Sequence, residues 1–174
     1  EKRTFRNCRF YRSGDVLFTD MEVFKGQGND TYLASVMDLY DRKIIGWAYG
    51  KNITSELATQ AVKNACLNIP DTTGIVLYSD LGSQYTSEEF EKYLQDQGML
   101  HSFSRKGNPY DNACIESFHS VLKKEEVYTT TYYTFEEAKS ALFEYIESFY
   151  NRKRRHSALD YKTPQQVEDE TLAA

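Results

Sequence analysis

The first 50 residues contain three stretches in which apolar, β-branched or aromatic residues are frequent, and turn-forming residues separate these stretches. This pattern predicts strands beginning at Val16, Thr31 and Lys43. The glycine- and asparagine-containing residues 26–30 and the pair 41–42 supply the turns between them. Because both connections are short, we expect the three strands to be antiparallel neighbours.

Beyond residue 50 the apolar positions recur at spacings of three and four, which predicts helices. Thr54 is placed as the N-cap of the first helix, and Glu56 lies in its first turn, where negative charge suits the helix dipole. Thr86 or Ser87 caps a second helix, and Gly98 ends it.

Two short apolar runs, at 74–77 and 99–103, predict a fourth and a fifth strand around the second helix. Two further helices are predicted from 112 to about 126 and from about 134 to 150. An antiparallel meander extended by two helix-linked strands gives a mixed five-stranded α/β sheet with helices on both faces. This is the element order of the ribonuclease H-like fold.

The composition fits one folded domain, because the chain has 174 residues, of which 40% are hydrophobic. We expect an N-terminal extension or linker at 1–14, a core at 15–150 and a basic C-terminal tail at 151–174 that packs on the core. No apolar run approaches the roughly 20 residues of a membrane span. The chain begins with Glu1 and has no signal-peptide pattern, so we interpret it as part of a longer protein. Three scattered cysteines argue against a disulfide framework or a zinc ribbon, which favours a reduced, cytoplasmic setting.

The formal net charge of −5 argues against a protein that coats nucleic acid, because phosphate binding needs a basic surface. Two local clusters remain candidates for DNA contact. One is Arg105-Lys106, and the other runs from Arg152 to His156 and includes Arg155. The ordinary interpretation of each cluster is a solvated charged stretch.

Three carboxylates fall at the edges of the predicted elements. Asp20 is expected at the end of the first strand, Asp80 just after the fourth, and Glu116 one turn into a helix. If the first and fourth strands are neighbours, the three acids converge and repel one another unless a cation neutralises them. Oxygen ligands without a neighbouring histidine or cysteine favour magnesium or manganese over zinc. Taken singly, each acid also has an ordinary interpretation, as a strand end, a turn or a solvated helix position.

The chain resembles the catalytic cores of DDE transposases and retroviral integrases, and it is most similar to bacterial insertion-sequence transposases with an integrase-type core. The resemblance extends from about residue 15 to 168, and 35 residues separate Asp80 from Glu116, a spacing typical of this family. It rests on these blocks: TD at 19–20, DLYDRKIIGW at 38–47, SDLGSQYT at 79–86, SRKGNPYDNA at 104–113, ESF at 116–118, and NR, RHSAL and YKTP within 151–164.

The resemblance implies that Asp20, Asp80 and Glu116 bind two Mg²⁺ (or Mn²⁺) ions and catalyse DNA cleavage and strand transfer. Asp20 would bridge both ions, and Asp80 and Glu116 would each complete one of them. DNA, both element ends and target, would be the partner, bound by a multimer of the chain. A helix-turn-helix DNA reader would lie upstream, outside this chain, so we expect the chain alone to bind DNA weakly and largely without sequence preference.

Other residues near these blocks are candidates for DNA contact. Lys123 lies seven residues after Glu116, on the same helix face, and would reach a phosphate; the alternative is an ordinary helix cation. Asn112 would orient the Glu116 carboxylate or simply cap the helix. Arg155 and His156 would contact DNA or hold the tail against the core.

The chain departs from the family pattern at two positions. Tyr78 stands where a histidine is frequent two residues before the second Asp, and Glu22 adds a charge near the first. Two alternatives to a transposase core remain, a ribonuclease H-like nuclease that does not join strands and a catalytically silent DNA-binding or assembly module. The three carboxylates argue against the silent module, and the block from 151 to 164 favours the transposase over the nuclease.

Overall fold

Five strands form one mixed sheet in the computed structural model, which describes residues 14–25, 29–104 and 112–173. The strands are β1 (Val16–Phe24), β2 (Thr31–Asp38), β3 (Ile44–Gly50), β4 (Val76–Ser79) and β5 (Leu100–Phe103). Their order across the sheet is β3-β2-β1-β4-β5. The first three strands pair antiparallel, and β4 and β5 add in parallel beside β1. The predicted meander with two helix-linked strands is confirmed.

Four of the five α-helices in the described ranges lie at predicted positions, and the last was not predicted. They are α1 (Ser55–Cys66), α2 (Glu88–Asp96), α3 (Ala113–Leu122), α4 (Phe135–Phe143) and α5 (Pro164–Leu172). The side chain of Thr54 accepts a hydrogen bond from the Leu57 amide, and Ser87 rather than Thr86 caps α2. α3 and α4 each continue into a π-helical turn, at Lys123–Val127 and Glu144–Tyr150.

Helices cover both faces of the sheet, which makes three layers. On one face, α1 and α2 bury alanines and aromatic rings against Leu17, Val36 and Leu77. On the other face, α3 and α4 pack against Phe18, Leu33 and other residues of β1, β2 and β3. None of the helices within the described ranges has both the length and the apolar character that a membrane crossing requires.

The prediction that Asp20 ends the first strand is wrong. β1 continues to Phe24, because β2 pairs with it up to the Phe24–Thr31 pair. β4, in contrast, pairs with β1 only from Val16 to Phe18. Asp20 therefore lies in the middle of its own strand and just beyond the last paired position of the neighbouring strand.

The segment after residue 150 is folded and includes a helix, α5, that the sequence did not predict. Asn151, which is buried, holds its start against β3: its Oδ1 accepts from the Ile44 amide and its Nδ2 donates to the Ile44 carbonyl, both at 2.9 Å. Thr163 and Gln166 form a reciprocal capping box at the start of α5. Arg154 pairs with Glu125.

Candidate active site

The strand β1 carries a polar pair within an apolar stripe. Side chains alternate between the two faces of a strand, so Phe18, Asp20, Glu22 and Phe24 share the face that α3 and α4 cover. Phe18 and Phe24 are buried there, whereas the side chains of Asp20 and Glu22 are 21% and 23% exposed. The alternation of β1 thus directs both carboxylates towards α3.

Asp80 follows the last residue of β4, where the chain turns. Its Oδ1 accepts a hydrogen bond from the Gly82 amide at 2.8 Å. A Cβ at Gly82 would lie 2.8 Å from that same oxygen, so a residue with a side chain would disturb the turn. The turn therefore fixes the Asp80 carboxylate at the end of the strand next to β1.

Glu116 is exposed in the first turn of α3. The helix is held against the sheet by buried Ile115, Phe118 and Leu122. Because Glu116 is adjacent to the buried Ile115, it lies at the margin of the packed face of α3. Its carboxylate thereby approaches β1 from the helix layer.

The electrostatics of Asp20 indicate that the three acids are close together. Burial raises its pKa, a hydrogen bond from the Met21 amide lowers it, and the charges of Asp80, Glu22 and Glu116 raise it, with a net value of about 7. The pKa of a buried tyrosine, Tyr85, is raised by its burial and then by the charges of Asp20 and Asp80. The charges of Asp80 and Glu116, two of the acids that the sequence singled out, therefore both act on the third, Asp20.

A second polar row on α3 faces the polar pair of β1. Its members are Glu116, His119 and Lys123, at helical spacings of three and four. The Nζ of Lys123 lies 2.9 Å from Oε1 of Glu22. The Nδ1 of buried His119 lies 3.8 Å from Oδ2 of Asp20, too far for a hydrogen bond, and this nitrogen has no hydrogen-bond partner among the residues that the structure describes.

His119 is held as a neutral ring. Burial and the nearby Lys123 charge lower its pKa to about 3. Its Nε2 lies 3.2 Å from the hydroxyl of Ser35, the β2 residue paired with Asp20. Sequence reasoning missed His119, although its position between Glu116 and Lys123 on one helix face was a usable signal.

A hydrogen-bonded chain that the sequence did not suggest supports the Asp80 turn. The imidazole of His101 lies between Glu91, 2.6 Å from Nδ1, and Ser79, whose Oγ is 2.8 Å from Nε2. The Ser79 hydroxyl also donates to the Asp80 carbonyl at 2.9 Å. Because these residues come from β4, α2 and β5, no local sequence pattern reveals the chain.

Among the residues in the described ranges, no three histidine, cysteine or carboxylate side chains are already arranged to hold a metal ion. Oδ1 of Asp20 accepts a hydrogen bond from the Met21 amide, and Oδ1 of Asp80 accepts one from the Gly82 amide.

The other predicted DNA-contact residues have different surroundings. Lys123 lies beside the carboxylates, and Arg152 and Arg155 are exposed after the π-helical turn that ends at Tyr150. The ring of His156 packs edge-on against Tyr150 at 4.8 Å between centroids. Arg105 and Lys106 lie outside the described residues.

Asn112 stands at the N-cap position of α3, as predicted, but its side chain makes no capping hydrogen bond within the described residues. Its Oδ1 instead accepts a 2.6 Å hydrogen bond from the Ser104 hydroxyl. Tyr78, the departure from the family pattern, is a packing residue whose ring stacks on Phe18 at 5.2 Å.

Comparison with known proteins places the chain in a family. Two sequence models, both described as "Integrase core domain", match residues 11–109 and 97–164. The transposase for insertion sequence element IS904 of Lactococcus lactis subsp. lactis (strain IL1403) is 40% identical over 153 residues, which cover 88% of this chain and 60% of that protein. The transposase InsF for insertion sequence IS3A of Escherichia coli (strain K12) is 37% identical over 166 residues, 94% of this chain and 58% of that protein. The chain thus spans about 60% of the length of these relatives.

Solved structures share the fold at low sequence identity. The HTLV-2 integrase catalytic core domain in complex with magnesium superposes with a TM-score of 0.66 at 17% identity, covering 90% of this chain and 97% of that one. A chain of the simian T-cell lymphotropic virus intasome in complex with the PP2A regulatory subunit B56 gamma gives a TM-score of 0.72 at 18% identity, covering 90% and 54%.

The predicted ribonuclease H-like sheet of an integrase-type core is confirmed by these likenesses and by the strand order. The two family matches together run from residue 11 to residue 164, so they include all three acids and the first part of the segment after residue 150, up to Pro164. The chain belongs to the integrase core domain family.

Proposed function

We propose that this chain is the catalytic core of a DNA transposase, which cleaves phosphodiester bonds and joins the resulting 3′-hydroxyl ends to target DNA. The observation that supports the proposal is electrostatic: after its burial, the charges of Asp80, Glu22 and Glu116 raise the pKa of Asp20. Asp20, Asp80 and Glu116 come from β1, the end of β4 and α3 of an integrase-type sheet. The transposase relatives at 40% and 37% identity support it.

The donor set fits divalent cations. Asp20, Asp80 and Glu116 offer hard oxygen atoms. Burial and then the charges of Asp80, Glu22 and Glu116 raise the pKa of Asp20, so a cation bound among them would relieve repulsion within the site. We propose that Asp20 is shared between two Mg²⁺ (or Mn²⁺) ions and that Asp80 and Glu116 hold one each. Bound there, the ions would activate the attacking water or 3′-hydroxyl and stabilise charge on the leaving oxygen.

Neighbouring residues hold the Asp80 ligand in place and keep a competing positive charge away from Asp20. Asp80 is kept in place by its turn and by the Ser79–His101 hydrogen bond behind it. His119 has its pKa lowered to about 3, so it stays neutral at pH 7 and adds no positive charge that would compete with a cation for Asp20.

DNA would approach along the polar rows of β1 and α3. Lys123 lies beside the acids and is the first candidate for a phosphate contact. Arg152 and Arg155, both exposed, are candidates for contacts further from the acids. His156 and Asn112 remain weaker proposals, because each has an intramolecular contact that accounts for it. Arg105 and Lys106 stay proposals from the sequence.

The partners are the transposon ends, the target DNA and further copies of the chain on DNA. Recognition of the ends would reside in a region upstream of this chain, so the isolated chain would bind DNA weakly and with little sequence preference. The cytoplasmic setting and the division at 1–14, 15–150 and 151–174 also stay predictions.

The proposal is tested by incubating the longer protein with DNA carrying its element ends and with supercoiled target, in Mg²⁺ and in EDTA. We expect Mg²⁺-dependent nicking and joined products with wild type, and a loss of at least about 10³-fold with Asp80→Asn. Glu136→Gln, an exposed glutamate in the first turn of α4, is the matched control and should retain full activity. Equal activity of wild type and Asp80→Asn would refute the proposal.

A nuclease that does not join strands is the second candidate, because hydrolysis uses the same carboxylates. The joined product distinguishes the two functions. If the DNA is nicked but no joined product forms under conditions in which the protein holds both element ends together, the nuclease is favoured. A silent DNA-binding module predicts neither product.

A further inference from the structure

Glu22 and Lys123 form an ion pair that bridges β1 and α3 directly beside the proposed catalytic acids. Their Oε1 and Nζ atoms are 2.9 Å apart, and the two side chains are 23% and 24% exposed. Glu22 also accepts a hydrogen bond from the Val23 amide at 3.2 Å. The pair therefore lies at the surface of the site, where a ligand can reach it.

The ion pair ties up the lysine that the proposed function requires for DNA. A carboxylate and a phosphate oxygen are both anionic acceptors, and an ammonium group binds either as a compact point charge. Lys123 cannot give its full charge to a phosphate while Glu22 holds it at 2.9 Å.

The surroundings strengthen this competition. Asp20 and Glu22 stand two residues apart on one face of β1, and the charges of Asp80 and Glu116 act on Asp20. The Nδ1 of His119 lies 3.8 Å from Asp20 and 3.9 Å from Glu22, and this neutral ring offers neither carboxylate a charge. Among the described residues, Lys123 is the cation that forms an ion pair with this acidic group, and the surrounding negative charge favours its pairing with Glu22.

We propose that Glu22 occupies Lys123 as an internal substitute for a DNA phosphate, and that DNA binding exchanges the Glu22 carboxylate for a phosphate at the lysine. This inference rests on the proposed function, since it assumes that DNA binds along the polar rows. Glu22 is then an autoinhibitory residue. DNA binding must first break the Glu22–Lys123 ion pair, which lowers the affinity of the chain for nonspecific DNA.

The opposite role is equally concrete and predicts the opposite result. If Glu22 instead holds Lys123 in the orientation that meets DNA, removing the Glu22 charge weakens DNA binding. If Glu22 acts only by repelling DNA through space, removing its charge strengthens binding whether or not Lys123 is present.

A double-mutant cycle separates these roles. The dissociation constant for a fluorescein-labelled 20-base-pair duplex is measured by fluorescence anisotropy at about 50 mM salt in EDTA. The proteins are wild type, Glu22→Gln, Lys123→Gln and the double variant. Glu136→Gln controls for a change of one unit in net charge, because it lies exposed on α4.

We expect Glu22→Gln to bind the duplex about two- to fivefold more tightly than wild type, the range for a partly exposed ion pair. The gain should vanish in the Lys123→Gln background and should shrink at higher salt, because salt screens charges near the surface. Glu136→Gln should change the dissociation constant by less than the Glu22 substitution does.

Three results overturn the inference. Weaker binding by Glu22→Gln identifies Glu22 as a positioning residue, and an equal gain in both lysine backgrounds identifies simple repulsion. Absence of duplex binding by wild type and Glu22→Gln alike, at protein concentrations where folding is verified by circular dichroism, removes this docking path. Strand transfer by the longer protein in that last case would leave the proposed function standing without this inference.

Discussion

Two charged regions of this molecule differ in how completely their charges are matched. Between β1 and α3, the carboxylates of Asp20 and Glu22 face Glu116 and Lys123. After Tyr150, in contrast, several polar groups are paired: Asn151 binds both backbone groups of Ile44, Arg154 pairs with Glu125, and Lys162 pairs with Glu170. Each region also contains one buried histidine nitrogen, of His119 or of His156, that has no hydrogen-bond partner among the described residues.

This difference separates polar groups that stabilise the fold from polar groups that are proposed to bind ligands and catalyse the reaction. A buried polar side chain with both its bonds made, such as Asn151, contributes to a unique packing. Carboxylates forced together raise one another's pKa and cost stability, and such strain is typical of sites that await a ligand. Charge alone did not distinguish the two regions in the sequence, but pairing distinguishes them in the structure.

The largest expected effect comes from Asp20→Asn, which should change activity and stability in opposite directions. Strand transfer should fall by at least about 10³-fold, because the substitution removes the proposed shared metal ligand. Stability at pH 8 should rise by about 1–3 kcal/mol, because a buried charge is removed. Urea denaturation beside the strand-transfer assay measures both, and a loss of stability at pH 8 would contradict the assignment.

The sign of the pH dependence follows from the pKa of Asp20, which is 3.8 in its ordinary state and about 7 in the folded protein. The folded protein holds this proton more tightly, so the stability it contributes is complete below about pH 4 and is lost as the pH rises through 7. Between pH 5 and pH 8 the wild type should therefore lose more stability than Asp20→Asn.

The next effect concerns the satisfied region. Asn151→Ala leaves the amide and carbonyl of Ile44 without their side-chain partners in a buried place, and should cost about 2–3 kcal/mol. Urea denaturation measures the loss. Activity per folded molecule should stay near wild type, and a catalytic loss as large as that of Asp80→Asn would show that the two regions are not separable.

A smaller effect is expected from divalent cations. Adding Mg²⁺ at about ten times its dissociation constant should raise the free energy of unfolding by about 1.4 kcal/mol at pH 8. This increase corresponds to a melting temperature about 3–5 °C higher. Asp20→Asn and Glu116→Gln should lose this shift. Asn151→Ala should show the same shift, starting from a lower melting temperature without Mg²⁺. A shift that persists in Asp20→Asn would place the cation elsewhere.

The smallest effect is expected from Thr163→Ala, which removes half of the capping box of α5 and should cost about 1 kcal/mol. Thr163→Ser keeps an acceptor oxygen and serves as the control. Differential scanning calorimetry resolves the two variants, and equal melting temperatures would mean that α5 contributes little to the folded state.

Much of the fold was predictable from the sequence, because local residue patterns mark the beginnings and ends of most of its helices and strands. Thr54 and Ser87 are helix caps with their bonds made, and the antiparallel meander follows from short turns. The end of β1 was not predictable, since the pairing partner β2 decides how far the strand continues. α5 was missed because its apolar positions are few, although Thr163, Pro164 and Gln166 form a recognisable start.

For the candidate site, the sequence supplied the three acids and Lys123, but not how they are neutralised. The pairing of Glu22 with Lys123 joins residues 22 and 123 across two layers, and no spacing along the chain encodes it. The same holds for the Ser79–His101–Glu91 chain. A motif identifies chemical groups, whereas their partners depend on packing.

The two-residue alternation of β1 has an evolutionary consequence. Phe18 and Phe24 build the core from the same strand face that presents Asp20 and Glu22. A single inserted or deleted residue between Val16 and Asp20 would reverse that face, turning the acids towards α1 and the opposite set of side chains towards α3. A substitution at position 22 keeps the alternation, whereas a change in the length of β1 between Val16 and Asp20 does not.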